Sequence, residues 1–280
     1  MKNPSTQVQF TPYEISFCLY DTDRTRLWKE AIEDTVKKGD IVVDAGAGTG
    51  ILGTFAALDG AKQIYSIELH KRFCKLIENM AKKNNVSNKI KVLHADASKV
   101  EIPEKIDVLV CELLCTGQFF EPEIQVVNHL RQYFKASTKI IPNKIESYIQ
   151  LLDAHEVLYG VNIDTDSRSL MMPDDEPVST KVKYDEIDLT KPVNPQVNTV
   201  VTVKARKTRI ADAVVITGRA NLTDEIVTER TKFLYNPEVI YLKNPVNLIK
   251  GKMYEIHISY PYGCDTLDAE IEVVEKKGNV

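Results

Sequence analysis

The N-terminal half of the chain alternates short apolar runs with segments of helical periodicity. Four runs predict buried strands, at residues 41–43, 64–67, 90–94 and 106–111. Between the second and third runs, Phe73, Leu76 and Ile77 recur at helical spacing, which predicts a helix over residues 70–84. Strands that alternate with helices predict an α/β fold with a parallel sheet.

Beyond residue 142 the apolar period changes from about 3.6 to two. Candidate strands fall at residues 146–152, 198–205, 213–220, 239–242, 253–259 and 269–274. Short strands separated by turn residues predict an antiparallel, barrel-like or sandwich region. Residues 160–196 are polar and contain prolines, and we expect an irregular excursion there.

The first apolar strand leads into a glycine turn. Gly46, Gly48 and Gly50 occupy alternate positions, and a helical pattern begins at Ile51 and Leu52. Strand, glycine turn and helix is the layout of a nucleotide-binding crossover, because glycines let a ligand lie against the backbone. The order G-x-G-x-G differs from the dinucleotide pattern G-x-G-x-x-G.

Two acidic residues follow the next two strands. Glu68 lies 18 positions after the last glycine (68 − 50 = 18), which suits a carboxylate that accepts hydrogen bonds from ribose hydroxyls. Asp96 ends the following strand, where an acid can receive an adenine amino group. The alternative is a structural α/β turn with incidental acids.

Composition narrows the class of protein. The chain has 280 residues, of which 43% are hydrophobic and 27% charged, with a formal net charge of −4. These values are ordinary for a folded protein and give no sign of a polyanion partner.

The N-terminus lacks the apolar stretch of a signal peptide and no run is long enough for a membrane span, so we expect a cytoplasmic protein without a membrane partner. The five cysteines form no C-x-x-C pair, and we expect no metal site.

Residues 44–61 resemble the first motif of the protein arginine methyltransferases, a family of Rossmann-like (class I) S-adenosylmethionine (SAM)-dependent enzymes. The resemblance implies an α/β SAM-binding methyltransferase domain followed by an antiparallel β-rich, barrel-like domain. Residues 139–143 resemble the link between them, so we expect domains over residues 1–141, with an N-terminal helical lid, and 142–280. The cofactor-binding residues implied are Asp44, Gly46, Gly48, Gly50, Ile51, Leu52, Glu68, Asp96 and Ala97.

Residues 21–25 resemble the family segment that lies over the cofactor. In that family the arginine matching Arg24 holds the methionine carboxylate of SAM, a role that suits the two-pronged guanidinium. The alternative is a solvated arginine on an amphipathic helix.

Two glutamates bracket the segment after the fourth strand. Glu112 and Glu121 stand nine positions apart (121 − 112 = 9), as in the family's double-glutamate loop, where both carboxylates grip the substrate guanidinium. This resemblance implies a catalytic role for both. The alternative is that Glu112 caps a strand end and Glu121 opens a helix.

Three departures from the family pattern bear on the acceptor and on the oligomeric state. The first glutamate is followed by Leu-Leu-Cys-Thr instead of the family's aromatic wall, and residues 233–235 read Phe-Leu-Tyr where the family has Thr-His-Trp. Without that histidine, we expect Asp21 to pair with Arg24 or Arg26. Residues 160–196 do not resemble the family's dimerisation arm, which leaves the oligomeric state open.

The sequence therefore predicts a SAM-dependent methyltransferase that transfers a methyl group to a nitrogen acceptor held by two glutamates. A protein substrate is favoured. The alternatives are an RNA or small-molecule methyltransferase of the same fold, and a non-catalytic SAM-binding regulatory protein.

Overall fold

The computed structural model describes residues 12–154, 157–162 and 165–276. The start of the predicted first domain, before Pro12, lies outside these residues. In the N-terminal half the described chain forms, in order, α1 (Pro12–Tyr20), α2 (Thr22–Thr35), β1 (Ile41–Ala45), α3 (Ile51–Leu58), β2 (Gln63–Glu68), α4 (Lys71–Lys83), β3 (Ile90–His94), β4 (Ile106–Cys111), α5 (Glu123–Leu130) and β5 (Phe134–Ile141).

Strands β1 to β5 form a parallel sheet in the order β3-β2-β1-β4-β5. All five residues of the central β1 are buried, as expected for a parallel strand covered on both faces. Ala45 pairs with Ile67 of β2 and with Cys111 of β4, so the carboxyl ends of these strands lie at one edge of the sheet. Ligands of open parallel sheets bind at that edge. The predicted strands and their Rossmann-like arrangement are confirmed.

Helix α2 directs a charged side chain toward this edge. Asp21 caps the helix, because its Oδ1 accepts a hydrogen bond from the Arg24 backbone N–H at 3.3 Å. Arg24, Trp28, Ala31 and Ile32 are buried, at the i, i+4, i+7 and i+8 spacing of one helix face. Arg24 is therefore held inside the protein and is not a solvated arginine.

The C-terminal half of the described chain is rich in strands. In order they are β6 (Lys144–Asp153), β7 (Val157–Leu158), β8 (Val161–Asn162), β9 (Ser167–Arg168), β10 (Glu176–Pro177), β11 (Val182–Asp188), β12 (Gln196–Lys204), β13 (Ile210–Asn221), β14 (Val227–Thr228), β15 (Glu238–Asn247), β16 (Met253–Pro261) and β17 (Glu270–Glu275).

Within the described ranges these strands pair in separate sheets. The path β10-β6-β13-β15-β9, with β11 on β6 and β14 on β13, makes a seven-stranded sheet, and β12-β16-β17 makes a three-stranded one. The strands of both sheets pair antiparallel, and the longest pairings are those of β12 with β16 and of β13 with β6. The predicted strands are found as β6, β12, β13, β15, β16 and β17, which confirms an antiparallel β-rich region.

The expectation of an irregular excursion over residues 160–196 is wrong for part of that segment. Strand β11 pairs antiparallel with β6, with Ile187 opposite Ile145. Only Tyr184 and Ile187 of β11 are buried, and charged residues fill most of its other positions. The apolar alternation was therefore too sparse to identify a strand.

One hydrophobic core continues through both halves of the described chain. Its buried residues include Trp28 on α2, Ile141 at the end of β5 and Ile258 on β16. β5 ends at Ile141 and β6 begins at Lys144, which is where we place the boundary between the predicted domains. Every helix in the described part of the chain is too short or too polar to serve as a membrane span.

Candidate active site

The glycine turn after β1 adopts backbone conformations that favour glycine. Gly46, Gly48 and Gly50 have φ values of +74°, +53° and +81°, in the left-handed region that a Cβ disfavours. A Cβ on Gly46 would lie 2.6 Å from Cδ2 of Leu113, and one on Gly50 would lie 2.9 Å from Cγ2 of Ile77. The backbone geometry therefore favours glycine at all three positions, and at Gly46 and Gly50 there is also no space for a Cβ.

A cavity of ≈ 470 Å³ lies at the carboxyl edge of the parallel sheet. This volume is in the range of small-molecule sites. The predicted site residues that line it are Arg24, Gly46, Gly48, Ile51, Leu52, Glu68, Asp96, Ala97, Glu112 and Glu121. The cavity thus brings the predicted cofactor and acceptor residues together, and Asp44 and Gly50 do not belong to its lining.

Asp44 is buried behind the turn. Its side chain is 1% exposed, and its Oδ2 accepts a hydrogen bond from the Gly53 backbone N–H at 3.0 Å. Burial raises the pKa of Asp44 to about 7, although the bond from Gly53 acts in the opposite direction. The contact ties the end of β1 to the first turn of α3.

Carboxylates stand at the ends of β2 and β3. Glu68 lines the cavity and accepts backbone N–H groups on both oxygens, from Gly48 at 2.9 Å and from His70 at 2.7 Å. Asp96 also lines the cavity and accepts hydrogen bonds from Ser98 and from Lys99 Nζ, the latter at 2.9 Å. Each carboxylate is thereby fixed in place, with lone pairs left for a ligand.

Arg24 and Glu112 form a two-point ion pair inside the cavity. Arg24 Nε donates to Glu112 Oε1 at 3.2 Å, and Nη2 contacts Oε2. Nη1 donates to the Cys18 carbonyl at 3.1 Å, so all three guanidinium nitrogens have partners. The Arg24 side chain is 5% exposed and that of Glu112 is 16% exposed. The proposed cofactor arginine and the first loop glutamate are therefore directly coupled.

The loop from Glu112 to Glu121 is held against the C-terminal half. Thr116 Oγ1 donates to the Asn236 carbonyl at 2.5 Å, and Tyr260 donates to the Gly117 carbonyl at 2.9 Å. Glu121 lines the cavity, and burial together with the nearby Glu112 raises its pKa to about 8. The two glutamates therefore face the same space.

Sequence reasoning assigned no role to Glu123, the first residue of α5. Glu123 is completely buried, and its Oε2 accepts the Leu113 backbone N–H at 2.9 Å, next to the Cys111 thiol. Burial raises its pKa well above the usual range. Glu123 thus supports the backbone immediately after Glu112. Acids are common at helix starts, so the sequence carried no distinguishing signal.

Asp21 has a different partner from the one expected. Arg24 and Arg26 form ion pairs with Glu112 and Glu30 instead. Asp21 Oδ2 accepts hydrogen bonds from Thr231 Oγ1 at 2.6 Å and from the Phe233 backbone N–H at 2.9 Å. A hydroxyl and a backbone amide therefore provide donors at the place where the family pattern has a histidine.

The C-terminal half also lines the cavity. The resemblance aligns residues 233–235 with the family's Thr-His-Trp loop, but nothing in the sequence indicated Ser169, Asn236 or Glu238. The residues it contributes are Ser169, Phe233, Leu234, Tyr235, Asn236 and Glu238. The ring of Phe233 stacks on Phe17 of α1, with centroids 4.7 Å apart. The helical segment and the β-rich half thus meet over the cavity.

The donor and acceptor groups in this cavity fit SAM. Gly46 and Gly48 expose backbone at the sheet edge, and at Gly46 a Cβ would meet Leu113. Glu68 and Asp96 suit the hydroxyl and amino groups of a nucleoside, and the buried guanidinium of Arg24 suits a carboxylate.

Sequence comparisons match this chain to methyltransferases and to an uncharacterized protein. The family model of ribosomal protein L11 methyltransferase (PrmA) matches residues 21–144. The uncharacterized protein MJ1452 of Methanocaldococcus jannaschii is 34% identical over 249 residues, which cover 88% of this chain and 91% of that protein. Protein arginine N-methyltransferase 9 of Xenopus laevis is 29% identical over 151 residues, which cover 52% of this chain but only 18% of that protein.

A solved structure shares the whole architecture. The Trypanosoma brucei PRMT1 enzyme-prozyme heterotetrameric complex with AdoHcy contains a chain that superposes with a TM-score of 0.77 at 17% identity, over 95% of this chain and 94% of that chain. At this identity the likeness concerns the fold. With the matches in sequence and the SAM-compatible cavity, it shows that this chain is a SAM-dependent methyltransferase of the protein arginine methyltransferase-like class I family.

Proposed function

We propose that this enzyme methylates a guanidinium nitrogen of arginine in a protein substrate. The observation that carries the proposal is the position of Glu112 and Glu121, which line the same cavity as the glycine turn and the carboxylates of the nucleoside site. The acceptor and the cofactor would therefore meet in one enclosed space, which favours transfer through positioning.

The cofactor would be held by residues at the sheet edge. Arg24 binds the methionine carboxylate, Glu68 binds the ribose hydroxyls and Asp96 binds the adenine amino group. The backbone of Gly46 and Gly48 lies against the ligand. When bound, SAM supplies an electrophilic methyl group on its sulfonium.

Glu112 and Glu121 would accept hydrogen bonds from the N–H groups of the substrate guanidinium. Carboxylates pair well with this planar cation, and two of them fix both its plane and the nitrogen that attacks. The methylated nitrogen then loses a proton. Glu121 is suited to receive it, because its pKa of about 8 lies near the working range of a general base.

The charge of the cavity favours a cationic acceptor over RNA. Among the described lining residues, Arg24 is the sole lysine or arginine, and it is already paired with Glu112. The acidic lining residues are Glu68, Asp96, Glu112, Glu121 and Glu238. Nucleic acid binding depends on cations that neutralise phosphates, and this cavity offers the opposite charge.

The proposal is tested by incubating the purified chain with radiolabelled SAM and a lysate of its host, then treating half with RNase and half with protease. We expect the label to survive RNase, to be lost with protease, and to migrate as methylarginine after hydrolysis. Label that is lost with RNase would refute the proposal and support an RNA acceptor. Tight SAM binding without any label in macromolecules would also refute it.

A further inference from the structure

Glu238 is a buried carboxylate on the acceptor side of the cavity. It is the first residue of β15, is 8% exposed and lines the cavity. Val239 pairs with Arg168 of β9, so Glu238 lies beside the next residue of that segment, Ser169, which hydrogen-bonds it. The carboxylate is therefore held in a defined place on the wall that the β-rich half contributes.

Glu238 lies near the double-glutamate loop. Thr116 of the loop donates to the Asn236 carbonyl, two residues before Glu238. Burial raises the pKa of the Cys115 thiol, and the negative charges of Glu121 and Glu238 raise it further. Glu238 and Glu121 thus both lie close enough to Cys115 to act on its thiol, and all three residues line the cavity.

Neither Glu238 nor Glu121 forms an ion pair within the described part of the chain. Burial raises the pKa of Glu238, and the hydrogen bond from Ser169 lowers it, with no cation contributing. Glu146, which is also buried, is instead paired with both Lys183 and Arg219. Asp44 and Glu123 are buried without a cation in the described part of the chain, but they do not line the cavity. Burying a carboxylate without a cation is costly, and one that faces a cavity is available to a ligand.

We propose that Glu238 recognises a second positive charge on the acceptor, so that the enzyme selects arginines flanked by another basic residue. This inference rests on the proposed function. Glu112 and Glu121 hold the guanidinium that is methylated, and Glu238 pairs with a neighbouring ammonium or guanidinium of the same peptide. A hydrogen-bonded charge pair in a sheltered site discriminates strongly against an uncharged group.

The test uses two sets of short, end-blocked peptides, one with a single arginine between glycines and one with a lysine added one or two positions before or after it. With wild-type enzyme we expect kcat/KM of the best lysine-containing peptide to exceed that of the single-arginine peptide by about tenfold. Glu238→Gln keeps the shape of the side chain and removes its charge. We expect that variant to reduce the ratio to about twofold or less.

Glu270→Gln is the matched control, because it removes one carboxylate from an exposed position on β17. It should keep the wild-type ratio. Both peptide sets methylated equally by the wild type, or an unchanged ratio in Glu238→Gln, would overturn the role of Glu238 while the proposed function stands. Wild-type enzyme that methylates neither set, yet labels another acceptor in lysate, would overturn both.

Discussion

Replacing Glu112 by glutamine tests the coupling between the cofactor site and the acceptor site. Arg24 is 4% exposed, and its charge is balanced by Glu112 at two contacts. Glu112→Gln keeps the size of the side chain and removes that balancing charge. We expect the variant to lose methyl transfer and, in addition, to be less stable without SAM.

The size of the effect follows from burial. Removing one partner of a buried ion pair costs about 3–5 kcal/mol. Glu112 is 16% exposed and glutamine keeps one acceptor oxygen for the guanidinium, so we expect a loss of about 2–3 kcal/mol in the free energy of unfolding. For a chain of this length, at about 2.1 cal/mol/K of unfolding entropy per residue, the corresponding decrease in Tm is about 3–5 °C.

SAM should reverse much of this loss, because its carboxylate would supply an anion for Arg24. At saturating SAM we expect the difference from wild type to fall below about 1 kcal/mol. Urea denaturation with and without SAM measures both quantities. Glu30→Gln is the control, since it breaks the Arg26–Glu30 pair on the same helix, where the side chains are 57% and 46% exposed.

The control should change stability by no more than about 0.5 kcal/mol, with or without SAM. If Glu112→Gln were as mild as Glu30→Gln, the buried pair would contribute nothing to stability. If SAM stabilised the variant no more than the wild type, Arg24 would not bind the cofactor carboxylate. Either result would refute the reasoning.

Three further predictions concern the pH dependence and the cofactor site. Guanidinium binding requires ionised Glu121, and a pKa of about 8 leaves this carboxyl about one-tenth ionised at pH 7. We therefore expect kcat/KM for the acceptor to rise about tenfold between pH 7 and 9. Glu121→Gln should lose this rise with pH, and an unchanged rise would assign the titration to another group. Glu68→Gln should weaken SAM binding about tenfold by calorimetry, since the amide offers one acceptor atom fewer, and equal affinity would remove Glu68 from the site. Gly46→Ala should cost about 2–4 kcal/mol in stability, because its left-handed φ and the contact with Leu113 both oppose a Cβ. Gly251→Ala, at φ +91° with open space around it, should cost only about 1–2 kcal/mol, and equal losses would contradict the steric argument.

Local patterns were sufficient to predict the parallel sheet and its ligand-binding edge. Branched apolar runs fixed the strands, and three alternating glycines after β1 required a turn with left-handed φ values. Glu68 and Asp96 follow strand ends, so the parallel topology alone brings them to one edge of the sheet. These features depend on near neighbours in the chain, which is why one sequence could reveal them.

The features that were missed depend on residues far apart in the chain. The Asp21 carboxylate accepts its hydrogen bonds from Thr231 and Phe233, more than two hundred positions away. No period or spacing encodes such contacts, because they form only when the two halves pack together.

The shape of the double-glutamate loop depends on that packing. Gln118 and Phe120 have φ values of +54° and +62°, and each such residue costs about 1–2 kcal/mol relative to an ordinary conformation. The backbone N–H of Gly263 donates to the Gln118 carbonyl, and that of Phe120 donates to the Cys264 carbonyl, both at 2.8 Å. These contacts come from the β-rich half and offset the strain. Residues 112–121 can therefore present both glutamates only when that half is in place. The choice of acceptor thus depends on both halves of the chain, whereas the cofactor site is built almost entirely from the N-terminal half.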